Sequence, residues 1–259
     1  GRAIAANCSK RGMKVVLADV DSEALDRLTA ELAQQGGEGL AMRCDVTKPA
    51  DLEELAEVVF ERFGQIHLLV NCAGVGGALG KVWSIDNADW RWTLDVNLFG
   101  TVNAQRSLLP RMVEAKQPGW VVNIASLSGL LPAPGAAPYS VSKAAIIALS
   151  DALFLELQQV EAPIGVTVAC PAAVATSIAS SLRPAADAPS GAVEQAASAL
   201  AEGLAPDEAA HSILAAVERG RYSVLTHSGT AALAAERAKR LVSGQTPILP
   251  DWRRIPPAG

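Results

Sequence analysis

Several things are scarce in this chain, and each scarcity removes a class of protein. Aromatic residues make up 4% of its 259 residues and charged residues 19%, while half are apolar. That balance excludes a disordered or coiled-coil protein and leaves a chain able to bury a large core. Basic clusters are missing: 22 Lys and Arg stand against 27 Asp and Glu, for a net charge of -5, and Arg253-Arg254 is the nearest thing to a basic patch. Neutralising a polyanion needs clustered cations, so no nucleic-acid partner is expected. The four cysteines, Cys8, Cys44, Cys72 and Cys170, never form a C-x-x-C pair, and three lie in or beside apolar runs. They read as reduced, mostly buried thiols rather than as a disulfide or zinc set. His67, His211 and His227 share no ligand spacing, so no metal is expected either. No apolar run approaches the roughly 20 residues that span a bilayer, and no signal peptide opens the chain. The expectation is a cytoplasmic protein without a membrane partner.

What is present is alternation. Short runs rich in Val, Ile and Leu, without strict polar alternation, fall at Lys14–Ala18, Gly39–Arg43, Ile66–Val70, Trp120–Ile124, Gly165–Ala169 and Tyr222–Thr226. Such runs suit strands buried on both faces of a parallel sheet. Between them lie helical patterns at Ser22–Gln35, Pro49–Phe63, Trp90–Lys116, Tyr139–Val160, Pro206–Arg219 and Thr230–Ser243. Leu25, Leu28 and Leu32 recur at spacings of three and four, and Pro49 and Gly64 suit the two ends of one helix. Strands and helices alternating at this spacing predict an α/β, Rossmann-like, doubly wound parallel sheet with helices on both faces. The chain starts with Gly1-Arg2-Ala3-Ile4-Ala5-Ala6, which already reads as a helix. The first strand and glycine-rich turn of such a fold are therefore expected to be missing, from an incomplete sequence.

The chemistry concentrates in Val121-Val122-Asn123-Ile124-Ala125-Ser126 and Tyr139-Ser140-Val141-Ser142-Lys143. Tyr139 and Lys143 stand one helical turn apart on one face. An ammonium within about 4–6 Å of a phenol stabilises the phenolate and is expected to lower a pKa that is ordinarily near ~10. A phenol so tuned can exchange a proton with an alcohol/ketone pair, and Ser126 can offer a hydroxyl to the same oxygen. Asp19 ends the strand Val15-Val16-Leu17-Ala18; an acid there accepts from ribose hydroxyls and repels a 2′-phosphate, with no cation at Val20 to offset it. NAD is expected over NADP. Gly74-Val75-Gly76-Gly77-Ala78-Leu79-Gly80 imitates a phosphate-binding turn, but Leu79 spoils the spacing and no helix follows directly, so it reads as a flexible loop.

In these residues the chain resembles the short-chain dehydrogenase/reductase family. Asn71-Cys72-Ala73-Gly74 resembles the segment closing that family's fourth strand, Asp95-Val96-Asn97 the one carrying its helix asparagine, and Pro171-Ala172-Ala173-Val174-Ala175-Thr176 the one meeting the nicotinamide. Cys44-Asp45-Val46 resembles the segment flanking the adenine. The resemblance implies a catalytic set of Asn97, Ser126, Tyr139 and Lys143, with Asn97 holding a water that links Lys143 to solvent. It implies cofactor contacts from Asp19, Asp45, Val46, Asn71, Ala73, Gly74, Tyr139, Lys143, Pro171, Val174 and Thr176. It further implies hydride transfer between a nicotinamide cofactor and a small-molecule alcohol or ketone, and a homodimer or homotetramer formed through the helices of Asn97 and Tyr139. Ala172 replaces the second glycine of the Pro171 segment, and no aspartate-glycine-glycine signature marks the tail from Tyr222 to Gly259.

One NAD(P)-binding domain over 1–259 is expected. Its Ala-, Ser- and Pro-rich stretch 177–205 is a surface insertion or a substrate lid, and the domain division takes it as the lid. Residues 206–259 form a C-terminal extension. Leu127, Pro138, the loop after Gly74 and the 177–205 stretch are expected to shape an apolar pocket. Two other readings stand beside oxidoreduction. One is an epimerase- or dehydratase-type relative, for which the residues after Thr176 are few. The other is a truncated or degenerate relative without catalysis, against which the intact Asn97, Ser126, Tyr139 and Lys143 set argues.

Overall fold

The computed structural model describes residues 1–249; Arg253-Arg254 and the end of the C-terminal extension lie outside them. In chain order the elements are α1 (Arg2–Lys10), β1 (Val15–Asp19), α2 (Ser22–Gln34), β2 (Gly39–Arg43), α3 (Pro49–Phe63), β3 (Leu68–Asn71) and β4 (Gly77–Leu79). Then come α4 (Asn87–Leu94), a π-helical turn (Asp95–Phe99), α5 (Gly100–Glu114), β5 (Gly119–Ile124), α6 (Leu127–Leu130), α7 (Ala137–Gln159) and β6 (Ile164–Ala169). A 3-10 turn (Ser177–Ser181), β7 (Leu182–Pro184), α8 (Ala192–Ala201), α9 (Pro206–Glu218), β8 (Ser223–Val224) and α10 (Thr230–Val242) follow.

All strand pairs are parallel, as Val-rich runs without polar alternation require. Alternate residues of each strand serve opposite layers. Val15, Leu17, Leu68, Val70 and Val122 pack under Ile4 and Cys8 of α1, Leu25, Leu28 and Leu32 of α2, and Ile213 and Leu214 of α9. On the other face Val16, Met42 and Leu69 meet Leu52, Leu55 and Val59 of α3 and Ala104 and Leu108 of α5, while Val121 and Val166 meet Met112 of α5 and Leu153 and Leu157 of α7. Helices on both faces are what doubly wound crossovers produce.

The main sheet is divided. One part holds β1 and β2, the other runs β3-β5-β6-β8, and the first cluster bridges the two. The predicted helix over 90–116 is likewise divided, by the π-helical turn carrying Asn97. The largest difference from expectation concerns Gly74–Gly80. Rather than a flexible loop, it contains β4, which pairs in parallel with β7. Gly76 N–H donates to Ser181 Oγ at 2.7 Å and Ala185 N–H to the Leu79 carbonyl at 2.8 Å. Outside this small sheet Arg183 stacks 3.5 Å from the centre of the Trp92 ring and pairs with Asp89 at 3.3 Å. The 177–205 stretch is thus structured and tied to the loop that leaves β3.

Candidate active site

The carboxyl ends of β1, β3, β5 and β6 deliver Asp19, Asn71–Cys72, Ile124–Ser126 and Ala169–Pro171 to one edge of the fold. In open α/β sheets that edge is where ligands bind. Ser126 leaves β5 as the cap of α6, its Oγ accepting from Ser128 N–H at 3.1 Å and reaching the Pro171 carbonyl at 3.4 Å. α7 then passes over it, carrying Tyr139 and Lys143.

Lys143 has 4% of its surface exposed, and its Nζ donates to the Ile124 carbonyl at 2.8 Å. That Nζ lies 5.8 Å from the centre of the Tyr139 ring. Burial lowers the Lys143 pKa to about 8, opposed by the nearby Cys72 and Cys170. The phenol departs from expectation. Burial raises the Tyr139 pKa, hydrogen bonding with Ser126 pulls it down, and Cys72 pushes it up. At this phenol desolvation outweighs the stabilisation of the phenolate that the spacing of Tyr139 and Lys143 suggests.

Asn97, 1% exposed, is fully engaged. Its Oδ1 accepts from Val75 N–H at 2.7 Å; its Nδ2 donates to the Val75 carbonyl at 3.0 Å and to Ser142 Oγ at 3.0 Å. Through these bonds the Asn97 side chain fastens the loop after β3 to α7. Ser142, which the sequence reading passed over, completes the link by donating to the Tyr139 carbonyl at 2.7 Å. Its position between Tyr139 and Lys143, three residues past the tyrosine, was the available signal. Gly74 lies beside this group: a Cβ there would sit 3.4 Å from Asn97 Oδ1 and 3.5 Å from Lys143 Nζ.

The remaining expected residues fall into two sets. Asp19 is exposed at the end of β1, its Oδ1 accepting from Asp21 N–H at 3.1 Å, and Arg43 is its register partner on β2. Ala73 and Gly74 follow β3, and Thr176 opens the 3-10 turn, accepting from Ile178 N–H at 3.5 Å. Pro171 and Val174 line the exit from β6, Val174 bridging to Leu204. In the second set the side chains make contacts within the fold. The Asn71 side chain points inward and donates to Asn123 Oδ1 at 2.8 Å. Asp45 accepts from Thr47 N–H at 3.0 Å and Thr47 Oγ1 at 2.7 Å, hydrogen bonding that holds its pKa down. Val46 packs against the start of α5, where a Cβ at Gly100 would lie 2.5 Å from its Cγ2. Leu127 and Pro138 are both buried.

The group fits a nicotinamide dinucleotide. α1 sets a first turn with no acid and no side-chain cap beside Cys72, Asp19 offers carboxylate to sugar hydroxyls, and Lys143 has donors beyond the one spent on Ile124. Among the described residues no cluster of His, Cys, Asp or Glu could hold a metal, and no helix is long and apolar enough to cross a membrane.

Comparison with known proteins agrees. The family model for short chain dehydrogenases matches residues 1–187. The CLA biosynthesis dehydrogenase/reductase of Lactiplantibacillus plantarum is 31% identical, over 95% of this chain and 91% of that protein. A short chain dehydrogenase/reductase from Burkholderia phymatum, solved with NAD, superposes with a TM-score of 0.92 at 33% identity, covering 96% of this chain and 92% of that one. A metagenomic short-chain oxidoreductase solved with NADP superposes with a TM-score of 0.69 at 27% identity, covering 87% and 90%. With the strand-end edge, the buried lysine and the phenol already in place, these matches settle kinship: the chain belongs to the short chain dehydrogenase family.

Proposed function

We propose that this protein is an NAD-preferring oxidoreductase in which Tyr139 exchanges the proton while a hydride moves between the cofactor and an alcohol or ketone. The observation that carries the reading is the 5.8 Å approach of Lys143 Nζ to the Tyr139 ring, with Ser126 at the end of β5 close enough to act on the phenol. A nicotinamide dinucleotide bound along the strand ends supplies the hydride donor or acceptor. In the reducing direction the Tyr139 hydroxyl gives its proton to the substrate oxygen, and the Ser126 hydroxyl bonds that same oxygen. The phenolate left behind is stabilised by the Lys143 ammonium, which at neutral pH is charged because its pKa is about 8. In the oxidising direction Tyr139 takes the proton back. Asn97 acts through others, holding Val75 and Ser142 so that the loop and α7 keep their spacing.

Asp19 supports NAD over NADP, since its exposed carboxylate suits ribose hydroxyls and repels a 2′-phosphate. Arg43 in register beside it tempers that repulsion, so a measurable NADP reaction accompanies the NAD one. Contacts from Ala73, Gly74, Pro171, Val174 and Thr176 complete the cofactor edge in this reading; Asp45, Val46 and Asn71 contribute through backbone. The 177–205 stretch serves as the lid of a single domain and 206–259 as its extension. Four free cysteines support a reducing, cytoplasmic setting, and an exposed apolar stripe on α7 supports a homo-oligomer. The test is Tyr139→Phe, assayed on a panel of alcohols and ketones with NAD and NADP and their reduced forms. Loss of turnover by at least about 10²-fold with dinucleotide binding retained is expected. Unchanged turnover would remove Tyr139 from the mechanism.

A further inference from the structure

One imidazole away from the reacting atoms is spent on backbone that borders them. His227 lies between β8 and α10, and its Nε2 is 2.9 Å from the Ala173 carbonyl oxygen. Its Nδ1 is 3.3 Å from Ala172 N and 2.8 Å from Thr226 Oγ1. A carbonyl can only accept and a peptide N–H can only donate, so these contacts fix the ring. Nε2 carries the proton, Nδ1 accepts, and the imidazole is neutral.

The ring is itself anchored. Thr230, buried at the start of α10, donates through Oγ1 to the His227 carbonyl at 2.7 Å. One turn on, Leu233 packs with Leu127 and Leu131, and Ala172 lies against the same cluster. From the other side Leu204 N–H donates to the Ala173 carbonyl at 2.9 Å and the Leu204 carbonyl accepts from Ala175 N–H at 3.0 Å. A Cβ at Gly203 would come within 2.5 Å of that same Ala173 carbonyl. The Ala172–Ala173 peptides are therefore gripped between a histidine from the C-terminal region and the turn that precedes α9.

We propose that His227 is a positioning residue for hydride transfer: it holds the Pro171–Thr176 segment in the shape against which the nicotinamide docks. The inference rests on the reading above, that this segment meets the nicotinamide. Small displacements of positioning groups carry disproportionate effects on binding and rate. The ring offers two separable functions. An asparagine at 227 can return an acceptor for Ala172 N–H, and a glutamine a donor for the Ala173 carbonyl.

The experiment is a titration of the full chain with NADH, followed by energy transfer from tryptophan, alongside thermal unfolding. The variants are His227→Ala, His227→Asn, His227→Gln, Thr176→Ala and, as a stability control, Leu28→Ala. His227→Ala is expected to weaken NADH binding about tenfold, as loss of hydrogen bonds of ordinary strength implies. His227→Asn and His227→Gln should each recover part of that loss. Leu28→Ala should lower the melting temperature at least as far and leave NADH affinity at the parent value. Thr176→Ala probes the segment directly. Weaker NADH binding in Thr176→Ala with unchanged binding in all three His227 variants overturns the role of His227 and leaves the nicotinamide reading standing. Unchanged binding in every segment and His227 variant overturns that reading itself. Should His227→Ala not fold, the asparagine and glutamine variants carry the comparison.

Discussion

A lysine with 4% of its surface exposed, whose ammonium donates to the Ile124 carbonyl and faces a phenol, costs the fold stability for as long as it is charged. Its pKa falls from 10.5 to about 8 on burial. Between those values the unfolded chain holds a proton that the folded chain has released, so stability rises with pH across the window. Below about pH 8 both states are protonated and the folded state bears the full cost, up to about 3 kcal/mol before relaxation. Tyr139, raised by burial, acts with opposite sign above about pH 10, where an unfolded tyrosine ionises and the buried one does not. Lys143→Met removes the charge while keeping most of the volume. The variant is expected to be inactive yet more stable than the parent at pH 7, with the difference shrinking steadily from pH 8 to pH 10. Urea unfolding at several pH values checks this; a gap that stays constant across the window would show that Lys143 is not the titrating group. The proposed chemistry accounts for this loss of stability, since it calls for a charged group in a dry place.

α6 and α7 meet at a point that leaves no room for a side chain. A Cβ on Gly129 would lie 2.7 Å from both the carbonyl carbon and oxygen of Lys143 and 2.9 Å from Ala144 N, all backbone atoms that cannot rotate away. α6 is capped by Ser126, and α7 carries Tyr139 and Lys143. Gly129→Ala must therefore move one helix against the other and spread the Ser126 and Tyr139 hydroxyls apart. A fall in turnover of at least about tenfold is expected, together with a loss of about 1–3 kcal/mol from overpacking; kinetics and denaturant unfolding measure the two. Parent-like turnover would mean that the α6–α7 distance does not set the Ser126–Tyr139 geometry. Such contacts mark the limit of what the sequence discloses. The parallel strands were legible because their runs lack polar alternation, most fully in Gly119–Ile124 and Ile164–Ala169, whose successive residues are buried, and the helices because their leucines recur at helical spacing. Tyr139 and Lys143 were legible because four residues of separation is a local relation. β4 and β7 were not, since three-residue strands have no period of their own and exist only through a partner about a hundred residues distant. The inward turn of Asn71, the Asn97–Val75–Ser142 clamp and the grip of His227 on Ala173 are long-range in the same way.

One face of α7 is apolar and uncovered. On α7, Val141, Ala148, Ala152 and Leu155 are exposed, at successive spacings of seven, four and three residues that place them on one face. Val141 is 48% exposed and Leu155 60%, while Leu153 and Leu157 on the opposite face are buried in the core. Phe99, at the end of the π-helical turn, is 51% exposed. A stripe of small and branched apolar residues suits close helix–helix approach. Pairing through a two-fold axis would use each contact twice, so a single side chain has doubled influence on association. Burying each Leu155 in such a contact contributes about 1–2 kcal/mol. Leu155→Glu would bring like charges together across the axis at no cost to the monomer, because the position faces solvent in the isolated chain. The variant is expected to sediment as a smaller species than the parent at micromolar concentration, with its melting temperature becoming independent of protein concentration. Val141 sits between Tyr139 and Lys143 in the chain, so dissociation should also loosen the start of α7 and lower turnover in the variant. A parent chain that already sediments as a monomer would contradict the assignment, and the α7 stripe would then be an ordinary solvent-facing surface.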